Sequence, residues 1–320
     1  MTEPIDVGVV GVGHLGKHHA RLYAQTRGAR LVGVVDRDRQ RAEAIASEYG
    51  CRVYDSEEEL AAQTTAVSVA VPTESHCDVA VKLLEAGVHV LIEKPLARSI
   101  GEAERINTVA ERRDRIVMVG HTERFNPAVR ALVAAVHKPR FFEIHRLAAF
   151  SARSTDIDVV LDLMIHDLDL LLALDGSEPL SVDAAGIAAL TDKIDIANAR
   201  IRFKSGCVAN LTASRISPES VRRIRVFQAR TYLSCDTGRR IVNRHQLVPQ
   251  EDGSPKILHD LLPIDEAEPL AAELAAFVAA VGGGERPSID GRQGQRALEL
   301  AHRVHEAIAA ERDSTGLSDP

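Results

Sequence analysis

Three short stretches of this sequence carry residue types that could perform chemistry. Residues 11–16 form a Gly-x-Gly-x-x-Gly motif, residues 93–95 read Glu-Lys-Pro, and residues 162–169 place a histidine between carboxylates. A glycine motif can hold a pyrophosphate, a lysine can stabilise a developing negative charge, and a histidine can accept a proton near neutral pH. The rest of the chain must supply the elements that position these side chains.

The glycine motif lies between a predicted strand over 5–10 and a predicted helix over 17–26. One of Gly11, Gly13 and Gly16 makes the tight turn, one admits a pyrophosphate to the backbone, and one lets the helix approach the sheet. His14 and Leu15 lie inside the motif, where the helix N terminus directs its N–H groups at the phosphates. We therefore predict that these five residues bind a dinucleotide.

Asp36 ends the second predicted strand, twenty residues beyond Gly16. A carboxylate at this position accepts hydrogen bonds from the adenosine ribose and repels a 2′-phosphate, which favours NAD over NADP. Arg37 follows directly and could either stack on the adenine or bind a 2′-phosphate. The sequence leaves these two roles of Arg37 open.

Predicted strands and helices alternate from residue 5 to about residue 120. This alternation predicts a doubly wound parallel sheet with helices on both faces, in which ligands bind at the carboxyl ends of the strands. One strand is followed by Pro72, Thr73 and His76, and the next ends in Glu93 and Lys94. All five residues are therefore predicted to lie beside the cofactor.

After residue 120, long strands follow one another with few helices between them. This pattern predicts an α+β domain with a large, mostly antiparallel open sheet. We expect a Rossmann domain over 1–122 and an α+β domain for substrate and oligomer contacts over 123–320. Whether the last helix packs back on the first domain is left open.

A nearly apolar predicted helix over 161–174 carries one polar stripe. Asp162, His166 and Asp169 fall at i, i+4 and i+7, whereas Asp167 points elsewhere. The stripe could be the solvated side of a surface helix. Alternatively, so apolar a helix is buried nearly all round, and its stripe lines a cleft where ionisable groups tend to be functional. The lysine expected on the sheet rim favours the cleft.

Composition excludes several other classes of protein. The 320 residues carry a formal net charge of -7 and 3% aromatic residues, so neither a basic surface nor stacking platforms for nucleic acid are expected. The four cysteines show no paired spacing, which argues against a zinc site or disulfide framework and favours a reducing cytoplasm. We expect neither a secretion signal nor a membrane span, since no apolar run approaches about 20 residues.

Over its whole length the chain resembles the glucose-fructose oxidoreductase, inositol dehydrogenase and rhizopine catabolism (Gfo/Idh/MocA) family. The resemblance lies in residues 11–16, 71–76, 93–95 and 162–169, in this order. It implies a Rossmann domain, an α+β domain whose open sheet mediates oligomers, and NAD(P)-dependent oxidation of a sugar or cyclitol hydroxyl. It also implies Lys94, Asp162 and His166 as the catalytic set. Many members carry glycine where this chain has Asp158, so the loop there is expected to differ.

Four segments are similar to the branch of the family that oxidises C3 of UDP-N-acetylglucosamine at the start of 3-amino sugar formation for lipid A. They are residues 124–127, 153–156, 164–167 and 212–215. A nucleotide sugar brings a second pyrophosphate, to which Arg124, Arg153 and Arg215 could donate. The same arginines could instead be ordinary surface residues. Asn126 and His121 are further candidates for substrate binding.

In the predicted reaction, hydride leaves a sugar carbon for NAD while His166 accepts the hydroxyl proton. Lys94 stabilises the oxygen and Asp162 orients either partner. No metal is required, because the nicotinamide takes the hydride and the lysine polarises the oxygen. Two alternatives stay open: a dehydrogenase of a free sugar or cyclitol, and a non-catalytic dinucleotide-binding regulator. A homo-oligomer, either dimer or tetramer, is expected.

Overall fold

A computed structural model describes residues 3–151, 157–250, 254–283, 286–287 and 289–315. The chain divides into two compact units. The first comprises Met1–Thr122 with Glu268–Leu298, and the second comprises Glu123–Ala267 with Glu299–Pro320. The sequence predicted a boundary after residue 122 and left open whether the last helix packs on the first domain; in the structure, residues 268–298 belong to the first unit.

The first unit is built on a six-stranded parallel sheet in the order β3-β2-β1-β4-β5-β6. Its strands are β1 Ile5–Val10, β2 Ala29–Val35, β3 Arg52–Val53, β4 Ala66–Val69, β5 His89–Glu93 and β6 Val117–Gly120. This strand order is that of a doubly wound dinucleotide-binding sheet, whose ligand lies where the order reverses, between β1 and β4. The predicted fold of this part of the chain is confirmed.

Capping side chains and a glycine mark several helix ends of the first unit. They are α1 Gly16–Tyr23, α2 Arg39–Tyr49, α3 Glu57–Ala61, α4 His76–Glu85, α5 Ile100–Arg113 and α8 Pro269–Gly283. Asp38, Ser56 and Ser99 precede α2, α3 and α5, and each side chain accepts a hydrogen bond from a first-turn N–H group. Gly50 ends α2 at a positive φ of 68°.

Two C-terminal segments complete the first unit. Helix α8 packs on α1 and β1 and buries Leu274 and Phe277. Helix α9, Gly291–Thr315, contributes its residues up to Leu298 to this unit. The Asn107 side chain donates to the Gly291 carbonyl at 3.1 Å and to Gln295 Oε1 at 2.8 Å. These contacts explain why 268–298 do not belong to the second unit.

The second unit contains an eight-stranded sheet in the order β14-β13-β12-β11-β7-β10-β9-β8. Its pairs are antiparallel except β7 with β10, which confirms the predicted mostly antiparallel sheet. The strands are β7 Phe141–Leu147, β8 Pro179–Ile187, β9 Ile196–Phe203, β10 Val208–Ser214, β11 Val221–Gln228, β12 Thr231–Asp236, β13 Ile241–Pro249 and β14 Pro255–Leu261. Helices α6 Pro127–Ala135 and α7 Ile165–Asp175 belong to the same unit.

Helix α6 packs on β12 and β13 of this sheet. Every second side chain of β7 is buried, as expected for a strand with one face on a core. Strands β13 and β14 expose most of their residues and were not predicted, because prolines and polar residues interrupt their alternation. The short helix α3 was also not predicted.

Within the described ranges, no helix combines the length and apolar character that a membrane crossing requires.

Candidate active site

The glycine motif has the space that a pyrophosphate needs. Gly11 has a φ of +84°, and a Cβ there would lie 2.7 Å from the Ala70 carbonyl oxygen. A Cβ at Gly16 would lie 1.7 Å from the Gly11 oxygen, so neither residue can carry a side chain. At Gly13 the nearest atom would be Arg41 Nη1 at 3.9 Å, so this position is the open one. The turn therefore fits the bound dinucleotide that its sequence predicts.

His14 and Leu15 sit on the open side of this turn. Both side chains are exposed, and Leu15 is the N-cap residue of α1. A leucine side chain cannot cap the helix, and the Lys17 N–H group donates to the Gly13 carbonyl at 3.3 Å and the His18 N–H group to the Leu15 carbonyl at 2.8 Å. A contact of His14 and Leu15 with a phosphate stays a prediction.

Asp36 lies directly after β2 and contacts the glycine motif. Its Oδ2 accepts a hydrogen bond from the Val12 N–H group at 2.7 Å, and its Oδ1 accepts one from the Asp38 N–H group at 2.8 Å. Arg41 Nη1 lies 3.4 Å from the same Oδ1. Arg37 is exposed. The carboxylate that should meet the ribose is thus fixed against the phosphate-binding turn.

His76 joins the two loops that follow β4 and β5. Its ring nitrogens lie 3.0 Å from the Val71 carbonyl oxygen and 2.9 Å from the Pro95 carbonyl oxygen, and the side chain is buried. Burial lowers the pKa of His76, although both carbonyls raise it. The neutral ring donates to one carbonyl at a time. His76 thus links the two loops that follow β4 and β5, and its contact with the cofactor stays a prediction.

Glu93 and Lys94 end β5. Glu93 Oε1 lies 2.8 Å from His19 Nε2 of α1, and both side chains are buried. Burial alone would raise the pKa of Glu93, but the His19 hydrogen bond and the charges of His19, Lys94 and His76 lower it overall. Glu93 is therefore an ionised group beside the half-buried Lys94.

Glu273 of α8 is a second buried carboxyl group in this unit. Its Oε2 accepts a hydrogen bond from Thr122 Oγ1 at 2.8 Å, and the residue is 0% exposed. Burial and the charge of Glu93 raise its pKa well above the ordinary value, although the Thr122 bond lowers it. One carboxyl is thus ionised and the other neutral. Neither His19 nor Glu273 was predicted from the sequence to take part in the site.

In the second unit, the predicted continuous helix over 161–174 is wrong in its first turn. Val160–Met164 form a π-helical turn, and α7 begins only at Ile165. A π turn has i→i+5 hydrogen bonds, so it shifts Asp162 relative to the stripe that regular α-helical spacing predicts. Such turns often occur at functional sites. Asp162 and His166 are both half-buried, at the junction of the two helical forms.

Two arginines fix α7 in place through buried ion pairs. Arg124 donates from Nε and Nη2 to the two carboxylate oxygens of Asp169, each at 2.7 Å. Arg146 of β7 donates to Asp167 at 2.9 and 2.8 Å. Burial alone would lower the pKa of Arg146, but Asp167 and Glu123 raise it overall. Asp169, predicted to line a cleft with His166, is instead buried and paired.

The start of this helical segment is held by Asp158, where the family often has glycine. Its Oδ1 accepts hydrogen bonds from the Val160 N–H group at 2.8 Å and the Leu161 N–H group at 3.2 Å. His305 of α9 lies 3.0 Å from its Oδ2, and although burial raises the pKa of Asp158, His305 and these N–H groups lower it overall. The departure from the family pattern thus produces a helix cap.

Arg215 is buried in the second unit and forms hydrogen bonds there. Its Nε donates to Asp195 at 2.8 Å, its Nη1 to the Ile157 carbonyl at 2.7 Å and its Nη2 to Thr191 Oγ1 at 2.9 Å. The residue is 5% exposed. These bonds connect Arg215 with Ile157, Thr191 and Asp195, and its role as a substrate donor stays a prediction.

The other four residues predicted to bind substrate lie in different surroundings. Asn126 caps α6 by accepting from the Ala128 N–H group at 3.0 Å and donates to the Thr237 carbonyl at 3.1 Å, which is a structural role. His121 is buried directly after β6. Arg153 lies outside the described residues. Arg124 uses Nε and Nη2 for Asp169, and among the described residues its Nη1 makes no further hydrogen bond.

Arg146 could have been found from the sequence. It occupies an alternate, buried position of β7 after Phe142 and Ile144. A charged residue in such a position must be paired, which directs attention to an acidic partner. That partner is Asp167, which was predicted to lie outside the polar stripe of the helix.

Among the described residues, no group of three or more histidine, cysteine, aspartate or glutamate side chains is arranged to hold a metal ion.

Comparisons with known proteins agree with this architecture. Residues 5–121 match the profile of an oxidoreductase family with an NAD-binding Rossmann fold, and residues 128–236 match the GFO/IDH/MocA C-terminal domain. A UDP-N-acetylglucosamine 3-dehydrogenase from Acidithiobacillus ferrooxidans is 41% identical, over 95% of this chain and 97% of that protein.

A crystal form of the same-named Acidithiobacillus ferrooxidans enzyme superposes with a TM-score of 0.90 at 39% identity, covering 97% of this chain and 99% of the other. An inositol 2-dehydrogenase from Rhizobium meliloti is 29% identical, over 95% of this chain and 97% of that protein. Both relatives are dehydrogenases that match from end to end.

Proposed function

This chain belongs to the Gfo/Idh/MocA family of NAD-dependent oxidoreductases, and we propose that its substrate is UDP-N-acetylglucosamine, oxidised at C3 to the 3-keto nucleotide sugar. The observation that carries the proposal is the 41% identity to a UDP-N-acetylglucosamine 3-dehydrogenase over 95% of the chain. The glycine motif and Asp36 would hold NAD, which when bound would supply the hydride acceptor. Side chains of this protein would bind the sugar, orient it and accept the proton of its hydroxyl group.

The proposed catalytic residues are Lys94, His166 and Asp162. Lys94, which follows Glu93 at the end of β5, stabilises negative charge as it develops on the sugar oxygen. His166 accepts the hydroxyl proton, a role that suits an imidazole at neutral pH. Asp162 orients one of these two side chains. The paired carboxylates that follow His166 support the proposal, because they fix the helix on which it lies.

Substrate binding is proposed for a smaller set than the sequence suggested. The Nη1 group of Arg124, which has no partner among the residues that the structure describes, is proposed to donate to a diphosphate, and Arg153 remains a proposed donor. His121 remains a proposed substrate contact. Asn126 and Arg215 act through the backbone that they support.

The proposed substrate can be tested directly with purified protein and NAD. UDP-N-acetylglucosamine should give stoichiometric NADH and a product that lacks two hydrogen atoms by mass spectrometry. Free N-acetylglucosamine, glucose and myo-inositol are the matched alternatives. NADH formed from a free sugar or inositol but not from the nucleotide sugar would replace the proposal with the cyclitol activity named for the Rhizobium relative.

The proposed roles predict a specific pattern in variants. Lys94→Ala and His166→Ala should each lower kcat by about 10²–10⁴-fold, since each removes a group that acts in the transition state. The dissociation constant of NADH, measured by fluorescence titration, should change little. Lys82→Ala, which removes an exposed lysine, is the control. Near-normal turnover by both site variants would show that these residues do not carry the reaction and would favour other groups or a regulator.

We also propose that the enzyme is cytoplasmic, begins 3-amino sugar formation for lipid A, and forms a homo-oligomer, with a tetramer as the specific expectation. Support for self-association comes from the apolar side chains exposed on β11, β13 and β14. These include Phe227, Leu247, Ile257 and Leu261. Exposed apolar surface of this kind commonly marks an interface.

A further inference from the structure

Asp158 holds the start of the segment that carries the proposed catalytic residues Asp162 and His166. Its Oδ1 accepts hydrogen bonds from the Val160 and Leu161 N–H groups at 2.8 and 3.2 Å. Its carbonyl oxygen accepts one from the Asp162 N–H group at 2.9 Å. One residue therefore accepts hydrogen bonds from three consecutive N–H groups, and the orientation of Asp158 sets the direction in which the π turn begins.

His305 of α9 fixes the carboxylate that accepts two of these bonds. Its Nε2 lies 3.1 Å from Asp158 Oδ1 and 3.0 Å from Oδ2. Burial raises the pKa of Asp158, but His305 and the two N–H groups lower it overall, so the carboxylate is ionised and Nε2 donates to it. The side chains of His305 and Asp158 are 23% and 20% exposed, so their contact is partly shielded from water.

Other charged side chains line the cavity beside Asp158. This cavity has a volume of about 360 Å³, and its polar lining comprises Asp158, Asp192, Lys193 and Arg312. A carboxylate that turned toward Lys193 or Arg312 would leave the first two N–H groups of the π turn without their acceptor, which is costly in a partly buried place. The hydrogen bond from His305 opposes that movement.

We propose that His305 is a positioning residue for the oxidation and acts through Asp158. With its hydrogen bond in place, the π turn presents Asp162 and His166 in the geometry that catalysis needs. This inference rests on the proposed catalytic roles of those two residues. Loss of His305 should lower kcat, because a displaced catalytic group stabilises the transition state less well while the binding of cofactor and sugar is retained.

Variants of His305 test this role with UDP-N-acetylglucosamine as the substrate. His305→Leu removes the donor and should lower kcat about tenfold, with KM and the dissociation constant of NADH changed by less than about twofold. His305→Gln keeps an N–H donor and should restore kcat to within about threefold of the unmodified value. His302→Leu is the control, because its ring centroid lies 6.0 Å from that of His305 on the same helix and its Nε2 has no hydrogen-bond partner among the described residues.

Two further measurements distinguish positioning from simple packing of α9. In an Asp158→Ala background, His305→Leu should change kcat by less than about twofold, because the group through which it acts is gone. Amide hydrogen exchange, resolved by fragmentation mass spectrometry, should be about tenfold faster at Val160 and Leu161 in His305→Leu than in the unmodified protein. The exchange measurement needs no substrate.

Several outcomes would overturn the proposal. Unchanged exchange in His305→Leu would do so, as would faster exchange with a normal kcat. An equal loss of kcat in His302→Leu would assign the effect to packing of the helix, and multiplied losses in the double variant would show that His305 does not act through Asp158. If the unmodified protein oxidises neither UDP-N-acetylglucosamine nor a free sugar, the proposed function fails, whereas the exchange rates still decide whether His305 holds the π turn.

Discussion

Glu93 and Glu273 are both buried in the first unit, yet their surroundings hold them in opposite charge states. His19 and Lys94 stabilise the ionised form of Glu93, whereas Glu273 has one hydroxyl partner and a nearby negative charge. When two carboxyl groups share a buried region, ionisation of one raises the pKa of the other, so their pKa values lie far apart. The residue that flanks Lys94 can remain charged because its neighbour does not ionise.

The neutral state of Glu273 predicts a pH-dependent stability. A pKa that is raised in the folded state leaves stability intact below the unfolded pKa of about 4.5 and reduces it as pH rises above that value. Glu273→Gln removes this linkage. The variant should therefore gain stability over the unmodified protein with increasing pH, by up to about 1.4 kcal/mol per pH unit until the folded pKa is reached.

Urea unfolding at several pH values measures this difference. Glu268→Gln is the matched control, because Glu268 is an exposed glutamate paired with Arg21 near the start of the same helix. A difference between Glu273→Gln and the unmodified protein that is constant with pH, or a loss of stability at pH 8, would contradict a protonated Glu273.

At the scale of elements, side chains from neighbouring segments fix the position of the helix that carries His166. A π turn precedes it, Asp158 caps the first N–H groups, and Arg146 holds Asp167 from the adjacent strand. The positions of Asp162 and His166 thus depend on residues that have no chemical role. Supporting contacts of this kind maintain catalytic geometry.

Arg146→Met should destabilise the protein by about 3–5 kcal/mol, because it leaves the Asp167 carboxylate buried without its partner. The double variant Arg146→Met, Asp167→Leu should recover most of this loss, since it removes both charges. Chemical denaturation measures both. Arg244→Met provides the control, because its bidentate pair with Asp260 is partly exposed and should contribute about 0–1 kcal/mol. Equal losses in the two single variants would contradict the buried-pair argument.

The sequence predicted elements well where one physical signal dominated. The alternation of predicted strands and helices identified the parallel sheet. The π turn was not predictable, because residues 160–164 differ from an α-helix only in their hydrogen-bond pattern. The hairpin of β13 and β14 lacks a strong apolar alternation, since nearly all of β14 is exposed and β13 has one buried residue.

The positions of candidate site residues were predictable to different degrees. The glycine motif, Asp36 and Lys94 could be placed at strand ends because each directly follows a predicted strand. The ion pair of Arg215 with the buried Asp195 was not predictable, since a sequence shows that an arginine is present but not which carboxylate it meets. His19 and Glu273 depend on contacts between segments far apart in the chain, which spacing does not reveal.

At the scale of the whole molecule, the sheet of the second unit presents a row of rings on one face. Phe141, Phe227, Tyr232, His245 and His259 follow one another across β7, β11, β12, β13 and β14, with ring centroids 4.5–5.8 Å apart. Ile257 and Leu261 lie beside this row on β14 and are 67% and 63% exposed. Burying them against a second copy would remove substantial apolar surface from water.

Ile257→Glu should therefore lower the molar mass measured by light scattering after size-exclusion chromatography, because it places a charge within the proposed interface. Val133→Glu, at an exposed apolar position on α6, should leave the mass unchanged. A monomeric unmodified protein, or an Ile257→Glu variant with unchanged mass, would exclude this face as the interface.

The last helical segments of the first unit, residues 268–298, follow the whole sheet of the second unit in the sequence. A ribosome that adds about 5–20 residues per second needs roughly 7–30 seconds to synthesise residues 123–267. During that interval the surface of β1 and α1 that α8 later covers has no partner. Nascent chains should accordingly engage chaperones at this surface, and termination before residue 268 should yield an insoluble product even though the nucleotide-binding strands have all been made.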